Sequence, residues 1–88
     1  SMDLTAPMEF PEGYYSVKDT MEDLAKNEEA LALAAKAVKL ATNFDIKPGV
    51  GMWDMMKKMT PEAMSNMISG MPEGFIESLN AQLIKVKK

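Results

Sequence analysis

The chain has 88 residues, 47% of them hydrophobic, a net charge of −3, and no Cys, His or Arg. That excludes disulfides and Cys/His zinc sites. It also removes the basic, Arg-bearing footprint that a nucleic-acid binder needs. What remains is one small domain whose core comes from apolar packing alone, and the periodicities along it read as an all-α bundle of four to five short helices with an extended N-terminal arm.

Ser1-Met2 reads as a residue left by tag cleavage ahead of a cloning methionine, as in a piece excised from a longer protein. Residues 1–17 are expected to be that remnant plus an extended arm or linker. Pro7 and Pro11 oppose helix there, and Phe10, Tyr14 and Tyr15 suggest an arm lying on a surface. Tyr14–Val17 suits a short strand against a neighbouring domain. The helical domain is expected over 18–88.

Thr20 is placed to cap a short first helix, Met21–Lys26, with Met21 and Leu24 inward. Asn27 caps the second, over 28–43, where six alanines favour helix. Leu33, Ala37, Leu40 and Phe44 form one stripe, broadened by Ala30, Leu31, Ala34, Val38 and Ala41. Its small residues allow close approach, so this helix is expected to be central and Phe44 to be buried. Lys47-Pro48-Gly49-Val50-Gly51 is a break, and it lacks both phosphate-loop frames.

Seven of the ten methionines fall in residues 52–71. Met52, Met55, Met56 and Met59 are spaced as one face of a third helix, and Met64, Met67, Ile68 and Met71 as one face of a fourth. Thr60-Pro61-Glu62 starts that fourth helix, and Gly70 stops it near Ser69. Pro72-Glu73 opens the fifth, to about Lys85, with Phe75, Ile76, Leu79, Leu83 and Val86 inward. The shift of twelve between the methionine sets follows from short helices joined by short turns.

The charge is uneven. Eight acids and two lysines lie in residues 1–30, and five acids and eight lysines in 31–88. A solvated charged face is the simpler account. No apolar run reaches the ~18 residues of a membrane span.

The order Thr20-Met-Glu-Asp-Leu24, the Gly/Met-rich turn at Gly49–Met56, Pro61-Glu62-Ala63, and Met71-Pro72-Glu73-Gly74-Phe75 through Leu83 carries a resemblance. It is similar to the small helical tail that follows the fibronectin-like module in many bacterial family 3 glycoside hydrolases of the β-glucosidase type. The likeness covers about residues 18–86, with departures at Trp53, Asp54, Lys57 and Lys58. It implies a non-catalytic accessory domain that packs on, or tethers, a larger carbohydrate-active hydrolase. The catalytic residues of such enzymes lie in other domains, so none is carried over.

The residues also support a second reading, a free-standing interaction module. Methionine faces repack around varied apolar helices. Met52, Trp53, Met56, Tyr14 and Tyr15 are the candidate surface, with Trp53 a half-exposed anchor at the edge of the stripe. The partner is then another domain of a parent enzyme or a separate protein. Met-x-x-Met spacings at Met52/Met55, Met56/Met59 and Met64/Met67 match soft thioether ligands for Cu(I). Without His or Cys beside them, and on amphipathic helices, packing is the reading preferred, and no cofactor is expected. Carboxylate-pair catalysis is disfavoured, because Glu62 and Glu73 are explained as first-turn acids.

Overall fold

The computed structural model describes residues 7–88. The tag-remnant reading of Ser1-Met2 lies outside them. Five helices and no strand occur among the described residues: α1 (Met21–Leu24), α2 (Glu28–Thr42), α3 (Trp53–Met56), α4 (Pro61–Ser65) and α5 (Phe75–Leu83). The radius of gyration is 12.4 Å, close to the ~12 Å expected of a folded chain this long. The body is flattened, 37 × 31 × 17 Å.

The caps on the first, second and fourth helices form as the sequence predicts. The Thr20 hydroxyl accepts from the Asp23 amide, the Asn27 side chain from Ala30, and the Thr60 hydroxyl from Ala63. The C-terminus of α2 is capped by Asn43, in the left-handed region at φ 65°. Asn tolerates that conformation better than most residues.

Helix α2 is central and packs on both α1 and α5. Its buried line is Ala30 and Ala34, flanked by partly buried Leu33, Ala37 and Val38. The expectation for the far end of this stripe is corrected. Leu40 is 69% exposed and Phe44 54% exposed. The alanines, having little bulk, let neighbouring helices come close and so define the inner face. Phe44 follows the left-handed Asn43 and leaves the helical frame altogether.

The third, fourth and fifth helices are shorter than predicted, and the third shows why. After Lys57 the ladder gives way to a tighter bond from the Met59 amide to the Met56 carbonyl at 2.9 Å, and Pro61 has no N–H to offer the Lys57 carbonyl. That carbonyl instead accepts from the Glu22 amide at 2.9 Å, and the Met59 carbonyl accepts from the Met21 amide at 2.8 Å. The orphan donors at the start of α1 are thus satisfied by the chain leaving α3. Pro72 and Glu73 do not open α5. They form a turn, and Gly74 at φ 80° precedes the helix.

The end of the arm packs into the core. Tyr15 and Val17 are buried together with Met21, Leu24, Leu79, Leu83 and Val86. Tyr14 forms an isolated antiparallel bridge with Lys87. The Tyr15 amide donates to the Val86 carbonyl at 3.0 Å, and the Lys88 amide to Gly13 at 2.9 Å. The partner of the Tyr14–Val17 segment is therefore this domain's own tail.

Asn80 fixes the arm. It is 2% exposed. Its Oδ1 accepts from the Val17 amide at 3.1 Å, and its Nδ2 donates to the Glu9 carbonyl at 2.8 Å. Lys88 adds a peripheral clamp, with Nζ 2.9 Å from the Asp19 carboxylate and 5.6 Å from the centre of the Tyr15 ring.

Candidate functional site

The surplus methionines make an open cleft beside this core. It has a volume of about 240 Å³ and is lined by Val38, Thr42 and Phe44 from the end of α2, and by Met52, Met56, Met59, Met64, Met67 and Ile68. Five thioethers from two short helices and their flanking turns thus face one space. Met52 is 43% and Met67 74% exposed, which puts them at the mouth. Met56 is 7% exposed yet lies outside the main core cluster, so it forms the floor.

The walls are chemically uniform. Thr42 supplies the lining's one side-chain hydroxyl. That oxygen donates to the Val38 carbonyl at 2.7 Å and accepts from the Phe44 amide at 3.2 Å. Its hydrogen-bonding capacity is turned inward on its own helix end. Lys39 Nζ donates to the Asn43 carbonyl and to the Asp45 carboxylate, each at 3.2 Å, and so pins the turn that presents Phe44. The cleft asks for apolar surface from whatever fills it.

The five predicted surface residues separate. Met52 and Met56 do meet, on the cleft. Trp53 does not join them. It is 8% exposed and packs in the main core, which corrects the expectation of a half-exposed anchor. In a helix of four residues, Trp53 and Met56 are the i and i+3 pair that face inward, and Met55, between them, is 76% exposed. Tyr15 is core, and Tyr14, 37% exposed, belongs to the bridge with Lys87 and not to the cleft. Of the Met-x-x-Met pairs, Met56/Met59 and Met64/Met67 share the cleft, whereas Met55 points away from it.

Phe44 was missed as a site residue because it reads as the last member of the α2 stripe. Asn43 was the available signal, since a residue suited to the left-handed region marks where helical periodicity ends. A second, more polar cleft of about 200 Å³ lies between α2 and α5, lined by Lys36 and Leu40 of α2 and by Phe75, Ser78 and Gln82 of α5.

The shifted ionisable groups lie elsewhere. A hydrogen bond from Lys26 holds the Asp23 carboxyl below its ordinary value, and the same bond raises Lys26. Their 3.0 Å ion pair sits on the solvent side of α1. Comparison of the chain with protein families, curated proteins and solved structures gives no match.

Proposed function

We propose that this domain is a non-catalytic interaction module whose methionine-lined cleft receives the apolar face of a partner helix. The observation that carries the reading is five methionines on one open cleft whose side-chain hydroxyl is already hydrogen-bonded within α2. Helix-in-groove recognition buries apolar anchors at helical spacing in such a groove. Thioether walls adjust to the anchors through three soft torsions each. The accessory role implied by the resemblance to glycoside hydrolase tails would use the same contact, with the helix supplied by the parent enzyme.

The test is fluorescence anisotropy with a labelled amphipathic peptide carrying Leu at helical spacing. Binding is expected, and Met52→Lys or Met67→Lys should weaken it by about tenfold or more, equivalent to about 1.4 kcal/mol. Met55→Lys adds the same charge at a methionine outside the cleft that is at least as exposed as either, and should leave binding unchanged. Equal affinity for all three variants would defeat the reading.

A further inference from the structure

We infer that Met52 and Met67 form an oxidation site at the mouth of the cleft, through which a peroxide renders the cleft polar while the fold stays intact. The inference deepens the docking reading and rests on it for its biological consequence.

Exposure ranks the methionines. Met67 and Met52, at 74% and 43%, are open to solvent, whereas Met56 is 7% and Met21 0% exposed. Oxidation of a thioether follows access of the oxidant to sulfur. In the step, a sulfur lone pair attacks one oxygen of hydrogen peroxide. An S–O bond forms as the O–O bond breaks. Sulfur gives up two electrons, and the departing oxygen takes a proton and leaves as water. The product sulfoxide is polar and chiral where an adaptable apolar chain stood.

Position makes that change local. Met52 and Met67 line the cleft but belong to no part of the core, which is built from Val17, Met21, Leu24, Leu83 and their neighbours. Two sulfoxides at the mouth set strong hydrogen-bond acceptors beside walls that offer no donor, because the Thr42 hydroxyl is already committed. An apolar partner would then have to bury those oxygens unpaired, which is costly. Met55 provides an internal control, since it is 76% exposed but does not line the cleft.

The experiment treats the whole chain with graded hydrogen peroxide and reads each methionine by peptide mass spectrometry. Melting temperature and Nile red fluorescence, which reports an accessible apolar cleft, are followed in parallel. Met52, Met55 and Met67 should convert together and several-fold faster than Met21 and Met56. Nile red fluorescence should fall in step with Met52 and Met67, with the cooperative melt retained. Methionine sulfoxide reductases of both stereospecificities should restore it. Met52→Leu/Met67→Leu keeps apolar bulk without exposed sulfur and should hold the dye after peroxide. Met55→Leu should give no protection. Oxidation of Met21 or Met56 at the rate of Met67, loss of the melt together with the dye signal, or an undiminished signal at full Met52 and Met67 conversion would each overturn the inference. If Nile red responds as expected but the amphipathic peptide never binds the untreated protein, the docking reading fails and the oxidation site stands.

Discussion

Asn80 is the side chain whose loss the structure prices most clearly. It holds the Val17 amide at 3.1 Å and the Glu9 carbonyl at 2.8 Å. Val17 is fully enclosed, so in Asn80→Ala its amide loses its side-chain acceptor. A buried group left unsatisfied costs roughly 1–3 kcal/mol. Glu9 is exposed, so its carbonyl can turn to solvent and adds only the net worth of one bond, about 0.5–1.5 kcal/mol. The sum is about 1.5–4.5 kcal/mol, against a total stability of roughly 4–13 kcal/mol for a chain this long. Urea denaturation followed by Trp53 fluorescence would measure it. Asn80→Asp sharpens the test. One carboxylate oxygen can still accept from Val17, but the other replaces the donor and faces the Glu9 carbonyl. Burial favours the neutral acid, so the folded-state pKa rises above the unfolded value of about 3.9. The folded state then binds more protons than the unfolded one, and stability relative to wild type falls as pH rises from about 4 through the raised value. A rise of two pKa units corresponds to roughly 2.7 kcal/mol lost by neutral pH. An Asn80→Ala cost inside the ±0.5 kcal/mol of ordinary surface changes would refute the clip. So would a difference between Asn80→Asp and wild type that is flat with pH.

Leu79 is 5% exposed within the core, so Leu79→Ala should cost roughly 2–5 kcal/mol. Phe44→Ala should lie near zero in the same urea titration, since the ring is 54% exposed. Thr60→Ala removes the acceptor for the Ala63 amide at 3.0 Å. It should cost about 0.5–1 kcal/mol, the lower part of the range for an exposed cap, and a thermal melt coincident with wild type would show that α4 is held by packing alone.

Local chemistry was the legible part of this fold. Thr20, Asn27 and Thr60 announce three helix starts, and each makes its capping bond. The central place of α2 follows from its alanines. Two misreadings share one physical cause, periodicity extended past the point where the backbone stops being helical. Phe44 lies beyond a left-handed Asn43, and Met59 lies beyond the end of α3. The arm was illegible for a different reason, because its partners are some 70 residues away in the chain. Val17 meets Asn80, and Tyr14 meets Lys87. One trace of it was nonetheless present. Ile76, Leu79, Asn80 and Leu83 stand at i, i+3, i+4 and i+7, which sets an amide on the apolar face of α5. A polar side chain in such a position needs a buried partner, and the arm is that partner.

The candidate cleft was half legible for a related reason. Clustered methionines predict adaptable apolar surface, and Met52 and Met56 do meet on it. Which methionines remain accessible depends on how each short helix is held in place. Helices of four and five residues make too few internal hydrogen bonds to stand alone. Here α3 is anchored by Trp53 in the core and by the carbonyls that the turn after it, at Lys57 and Met59, lends to α1, while α4 is anchored by the Thr60 cap and buried Pro61. These anchors use backbone groups and a few side chains, so the remaining methionines are released from core duty. Met21 shows the contrast, since the same side chain on α1 is wholly enclosed. The cleft therefore arises where elements are fixed by their ends rather than by their faces. It follows that replacing Met52 or Met67 by Leu should disturb stability little, and that the consequence of those substitutions should appear in how varied a set of apolar helices the cleft accepts.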